Sequence, residues 1–349
     1  MKLQKTLVAA SLIGLLAACG SDGSSEEPAR LTLGVSDNPA DANEVVIAFK
    51  EVGLKRVSDD GDVEEGEVEH FIGVDNDDES SEWRQIDLLD YQGSDTALLF
   101  EDQGELTAGD YKMCIYIQDG DGSRESSYVA TDDMDYGLKS NSNGACAGFK
   151  PDDGDDTGRL FVNKQFTLNP GDNFLVLEMD LMKVLQPPRG SSDDWTLKPT
   201  GYELVHVEGV GNLRGSVDTD SVRLACEVAV AGSTFAEAVY LYPADTTLEQ
   251  MGDFRDGEQE EGKVAPLGAS RVTEGEEELA GTYFYEFGFL DEGNYSLGYT
   301  CTAHNDDPQA PNGDQDVEGP FFLSFASPEN AEVVAGTTST YDLIDTPEE

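Results

Sequence analysis

Positive charge is what this sequence most lacks: 21 Lys and Arg stand against 72 Asp and Glu. The formal charge of −51 repels phosphate backbones and anionic headgroups, so nucleic acid is excluded as a partner. Histidine is scarcer still, with only His70, His206 and His304. A Ser-His-Asp triad can be drawn on paper from any chain this rich in Ser and Asp, so that arithmetic carries no weight. GxSxG, HExxH and Walker-type loops are missing. Carboxylate pairs of the glycosidase kind cannot be singled out from acidic loops. The chain therefore reads as a non-enzyme. After the N-terminal segment, no apolar run approaches the ~20 residues of a helical membrane span.

What is there begins at the N-terminus. Lys2 and Lys5 precede an apolar run from Leu7 to Leu16, interrupted by Ser11 and Gly14. It is too short to span a bilayer and ends in Leu16-Ala17-Ala18-Cys19, which resembles the lipobox of bacterial lipoproteins. That resemblance implies removal of residues 1–18 and a diacylglycerol on Cys19. The membrane is then a partner through lipid alone. Gly20 follows the lipid site, and by resemblance to Gram-negative sorting rules this points to the outer membrane, with the protein facing the periplasm or the surface. Residues 19–30, with no apolar side chain from Ser21 to Glu27, read as a flexible acidic tether.

With Cys19 assigned to lipid, Cys114, Cys146, Cys226 and Cys301 remain. An even remainder in an exported chain predicts two disulfides. Sequence proximity favours Cys114–Cys146 and Cys226–Cys301 among the possible pairings. None of the four lies in a CxxC or Cys/His metal spacing, so zinc is not expected.

Two domains of one class follow from the periodicity. In residues 31–208, alternation at Leu31, Leu33 and Val35 and at Val45, Ile47 and Phe49 has the period of strands. FIGV (71–74), QIDLLDY (85–91), YKMCIYI (111–117), KQFTL (164–168) and NFLVLEMDLMKVL (173–185) extend the pattern. Residues 209–345 add NLRGSVD (212–218), VRLACEVAV (222–230), EAVYLYP (237–243), GTYFYEFGFL (281–290), NYSLGYTCTA (294–303) and PFFLSF (320–325), with TTLEQMGDF (246–254) as one short helix. Gly, Asp and Asn punctuate the gaps. The expected class is all-β: two antiparallel β-sandwiches, Ig-like or prealbumin-like. Tyr283, Tyr285, Phe287 and Phe289 alternate onto one face and are expected to be core, with an exposed glycan platform as the rival reading.

The motifs LTLGVSDNPAD, RQIDLLDYQG, ELTAGDYKMCIYI and KQFTLNPGDNFLVLEMDLMKVL, then Trp195 to Pro199, resemble in that order a bacterial lipoprotein domain of unknown function, number 4382. The resemblance covers about residues 30–208. GNLRGSV, AVYLYP and FLDEGNYSLGYTC in the second half resemble transthyretin- or carboxypeptidase-regulatory-like sandwiches. These likenesses imply a β-sandwich fold and an envelope address. They transfer no catalytic residue.

Acidic clusters are the remaining site candidates. Asp75, Asp77 and Glu79 alternate, Asp119 and Asp121 precede Ser123, and Asp152, Asp153 and Asp155 crowd one loop. Such runs supply the opening oxygens of a calcium loop, making calcium the one cofactor in question. The bidentate Glu of an EF-hand is missing: the twelfth position falls on Ala130 or Ile86. The plainer reading is a solvated acidic surface. The whole reads as a lipid-anchored structural or binding module whose ligand, glycan or protein, is unspecified. A calcium-dependent adhesin-like protein and a carbohydrate-active hydrolase are the rivals.

Charge this one-sided opposes compaction, and salt screens it, with a Debye length of about 10 Å at 0.1 M and about 3 Å at 1 M. The melting temperature is expected to rise with NaCl, steeply at first and then levelling. Magnesium and calcium should act alike at matched ionic strength if the acidic loops are only solvated. A melt that is flat from low to molar salt would contradict the repulsion argument.

Overall fold

The structure, a computed structural model, describes residues 27–38, 42–57, 70–76, 81–140, 146, 149, 157–188, 193–198, 202–230, 235–255, 257–308 and 321–345. Cys19, Asp77, Glu79, Asp152, Asp153 and Asp155 lie outside the described residues, as does the segment 1–18. Pro28 to Arg30, assigned to the tether from sequence, already belong to the first strand, and Ala29 is buried.

The first sandwich contains, in chain order, β1 (Pro28–Asn38), β2 (Glu44–Arg56), β3 (His70–Gly73), β4 (Arg84–Asp87), β5 (Ala97–Thr107), β6 (Gly109–Gln118) and β7 (Tyr128–Ala130). It continues through β8 (Asp135–Ser140), β9 (Thr157–Leu168), β10 (Gly171–Asp180), the single turn α1 (Leu181–Val184), β11 (Leu185–Gln186), β12 (Trp195–Leu197) and β13 (Tyr202–His206). One sheet has the order β13-β10-β1-β5; the other runs β11-β12-β8-β7-β2-β6-β9, with β3 and β4 also paired to β2. The predicted alternation is what fills the space between them. Leu31, Leu33 and Val35 of one sheet meet Val45, Ile47 and Phe49 of the other, all fully buried. Each such side chain contributes about 1.5–3 kcal/mol of apolar burial.

The second sandwich contains β14 (Val210–Val217), α2 (Leu224–Val230), β15 (Ala238–Pro243), β16 (Gly268–Arg271), β17 (Thr273–Glu274), β18 (Tyr283–Asp291), β19 (Gly293–Thr300), β20 (Phe325–Ala326), β21 (Ala331–Val333) and β22 (Thr338–Thr340). Its sheets are β17-β18-β14-β22 and β16-β15-β19-β20, with β21 on β19. The aromatic stripe of β18 turns inward: Tyr285 and Phe287 are core and Tyr283 packs against them. The all-β class therefore holds in both halves. Pairing is antiparallel except at β1–β10, β8–β12 and β14–β22, which are parallel.

Two local expectations fail. Residues 222–230, whose alternation suggests a strand, are helical: a turn over Thr219–Arg223 leads into α2. The Asp218 carboxylate caps it, accepting from Ser221 N at 2.8 Å. Val222 and Cys226, four apart, face the core, while Leu224 and Val228 of the same alternation are exposed. The predicted helix at 246–254 shrinks to one turn, closed by Met251 N to Thr247 O at 3.0 Å. Met251 and Phe254 beyond it are buried against β15, and that burial holds the chain extended.

Each sandwich holds one disulfide. Cys114 and Cys146 have Cα atoms 6.1 Å apart; Cys226 and Cys301 are separated by 6.0 Å. Their loops differ in length, 32 against 75 residues, so loop closure makes the first worth about 3–4 kcal/mol and the second about 4–5. Non-reducing peptide mapping is expected to return these two links. Replacing Cys226 and Cys301 by Ser should cost the larger amount in a denaturant melt. A link between the halves would contradict the arrangement.

Candidate functional site at the junction of the sandwiches

A 3-10 turn, Val207–Gly209, is all that separates β13 from β14, so the sandwiches abut. The outer face of β10 supplies Phe174 and Val176, which pack with Val205, Val207, Val210 and Phe289. Phe289 sits at φ 54°, a left-handed backbone costing roughly 1–2 kcal/mol for a non-glycine residue; its amide is held by Asn212 Oδ1 at 3.1 Å. Next to it Gly288 is required by approach, since a Cβ there would lie 2.0 Å from the Gly93 carbonyl. Ser94 Oγ donates to Glu286 Oε1 across the seam at 2.6 Å. On the other flank α1 reaches over, with Met182 packing against the Tyr240, Tyr242 and Phe254 cluster. The Lys183 ammonium lies 5.1 Å from the Phe254 ring centre and donates to the Leu267 carbonyl.

Charge is buried along this seam. Asp37 is 1% exposed, and its carboxylate has no well-aligned hydrogen bond, only the nearby Leu181 amide. Burial holds its pKa well above the usual range, Asp180 nearby raises it further, and the Leu181 amide and Arg271 pull the other way. Asp180 is buried and likewise raised by desolvation, against the pull of Lys183. The Lys183 ammonium stands 3.0 Å from Asp180 Oδ2, an ion pair without hydrogen-bond alignment. In the second sandwich Asp306 accepts from the Tyr240 hydroxyl at 2.8 Å and the Phe254 amide at 3.2 Å. Burial dominates those bonds and pushes it up to about 7.

Two hollows open beside the seam. A cleft of about 570 Å³ is walled by β13, the end of β10 and the facing strands of the second sandwich, with Asp180, Tyr202 and His206 among its lining. A groove of about 760 Å³ lies over the outer face of β18 and β14, beside Gln92 and Gly93.

The acidic residues expected from sequence lie elsewhere. Asp119 Oδ1 accepts from Ser140 N at 2.7 Å, tying the end of β6 to the end of β8, and Asp121 Oδ1 accepts from Ser123 N at 3.0 Å, fastening a turn. The Asp75 backbone carbonyl takes the Arg84 guanidinium at 3.0 Å. Among the described residues, no three His, Cys, Asp or Glu side chains are grouped to hold a metal. His206 is half-buried at the end of β13, where the sequence puts it. Asp37, Asp180, Asp306 and Lys183 escape sequence reasoning. One signal was present: Asp37 continues the alternation of Leu31, Leu33 and Val35 onto the buried face.

Residues 28–199 match the model of a domain of unknown function, DUF4382. Among curated proteins, none matches the chain. Among solved structures, the chain is similar to a leucine-rich repeat protein from Bacteroides thetaiotaomicron, at 11% identity and a TM-score of 0.21 over 91% of this chain and 26% of that one. The chain thus spans about a quarter of that protein's length. It is also similar to a candidate cell adhesion protein from Bacteroides fragilis, at 10% identity and TM-score 0.20 over 91% and 94% of the two chains. Another from Bacteroides eggerthii gives 11% identity and TM-score 0.17 over 91% and 98%. Superpositions this loose carry nothing about function.

The buried acids set a pH dependence of unusual sign. The folded chain holds the Asp306 proton more tightly than the unfolded chain, whose Asp titrates near about 3.9. Stability from this group is therefore present at low pH and lost as pH rises from about 4 through about 7. The loss is roughly 4 kcal/mol at most, and the raised Asp37 and Asp180 act in the same direction. Denaturant melts across pH in molar salt, where surface repulsion is screened, should show the decline. Asp306→Asn, which keeps an acceptor for Tyr240, should flatten it; an unchanged slope would contradict the assignment.

Proposed function

We propose that the chain is an exported envelope lipoprotein whose two sandwiches act together as a non-enzymatic binding module. In this reading residues 1–18 are removed and Cys19 carries the lipid. The outer membrane is the anchor, and the folded part faces the periplasm or the cell surface. The observation that carries the reading is the pair of disulfides, one buried in each half of the chain. Structural disulfides persist in oxidising compartments, and the segment ending in Leu16-Ala17-Ala18-Cys19 supplies a route to one. The strongly acidic surface suits a protein that must stay soluble and apart from anionic headgroups while tethered beside them.

A binding role is favoured over a purely mechanical one by the seam, where cavities and unpaired polar atoms sit together. A glycan platform is disfavoured by the inward turn of Tyr285 and Phe287. The second sandwich is read as a transthyretin- or carboxypeptidase-regulatory-like module on its sequence motifs, and its two small packed sheets suit that kinship.

Metabolic labelling with a palmitate analogue should mark the full chain, and Cys19→Ser should abolish the mark and release the protein from the membrane fraction. Undiminished labelling of the variant would overturn the envelope address.

A further inference from the structure

We infer that the cleft between the sandwiches binds an organic cation, an ammonium group carried on a short aliphatic stem. The inference rests on the reading of the chain as a binding module and names the ligand class its junction takes.

The first support is a buried polar atom with nothing to bond, beside a poorly satisfied carboxylate. The Tyr202 hydroxyl is buried and has no hydrogen-bond partner, and the buried Asp180 carboxylate has only the Lys183 ion pair and the nearby Met182 and Lys183 amides, none well aligned. Both residues line the cleft. Leaving a buried polar group unsatisfied is costly, and a bound donor removes that cost. An ammonium can donate to a phenol oxygen and to a carboxylate alike.

The second support is charge. Glu178, Glu203 and Asp291 share the lining with Asp180. The cleft's two lysines are already engaged. Lys164 pairs with Glu203 at 3.2 Å at the exposed rim, and Lys183 divides its ammonium among Asp180, the Leu267 carbonyl and the Phe254 ring. An added ammonium near these carboxylates is attracted more strongly in the partly buried cleft than it is in bulk water. The formal charge of −51 steers cations toward the molecule as a whole.

The third support separates an organic cation from a metal ion. Leu204, Val205, Leu267 and Leu290 present apolar surface to the cleft, and an aliphatic stem covers such a wall where a hydrated ion does not. Among the described residues, no three metal-ligating side chains are grouped. The neighbouring groove offers a useful contrast. Its acids are already spent, Glu286 on Ser94 and Asp342 on Ser216, and none of its side-chain atoms is buried without a partner.

Isothermal titration of the mature chain tests this with three solutes at matched ionic strength: 1,5-diaminopentane, the neutral isostere pentane-1,5-diol, and calcium chloride. The diamine should bind saturably at one site and the diol should not. Asp180→Asn should weaken binding about tenfold or more. Tyr202→Phe should weaken it severalfold and serves as the second variant if the first fails to fold, while Glu258→Gln on the exposed surface should change nothing. Equal heats from diamine and calcium, equal binding of the diol, or wild-type affinity in both cleft variants would each overturn the inference. Those results are independent of lipid labelling, so failure of the ligand and failure of the address are told apart.

Discussion

A carboxylate withdrawn from water is costly unless something pairs with it, and this chain places three where its two sandwiches meet. Asp37 and Asp180 close the ends of β1 and β10, and Asp306 of the second sandwich interacts electrostatically with Asp180. The rest of the junction is arranged around them. Lys183 on α1 leans over Asp180 and anchors to the Leu267 carbonyl, and Arg271 on β16 acts on Asp37 from the other side. Apolar contacts on both flanks, through Phe289 and Val176 and through Met182, bring the faces close enough to exclude water. Removing the apolar contacts would hydrate the acids, and ionising the acids would strain the contacts.

The two sandwiches themselves depend on none of this. Each has a continuous core of alternating side chains and a disulfide of its own. The seam is thus where the molecule is least over-determined, with a few apolar side chains offset by unpaired polar atoms. Local stability in proteins is uneven in this way, and binding regions are drawn from its lower end.

Scarce positive charge is spent on structure rather than left for ligands. Arg223 grips Glu237 with bonds of 2.5 and 2.6 Å while Tyr299 donates to the same carboxylate at 2.6 Å, and its guanidinium lies 3.4 Å from the Tyr283 ring centre. Arg124 does similar work for the first sandwich, holding Glu44 and Asp135. Bidentate, planar contacts of this kind are where arginine outperforms lysine.

What the sequence determined by itself was local and periodic. Alternation in LTLGVSD and EVVIAFK marked strands because side chains on a pleated strand point to opposite faces every second residue. Proximity paired the cysteines correctly within each half. The same rule failed at 222–230, where apolar residues two apart also satisfy a spacing of four, and only the Asp218 cap and the Cys226–Cys301 link select the helix. Period-two reasoning could have flagged Asp37, since it says which side of a strand a residue occupies. It could not flag Asp180, Asp306 or Lys183, because it does not say which faces of two separate sandwiches will be pressed together. That was decided by tertiary structure alone: burial of charge is a property of the facing surface, and the facing surface here is distant along the chain, 84 residues from Lys183 to Leu267.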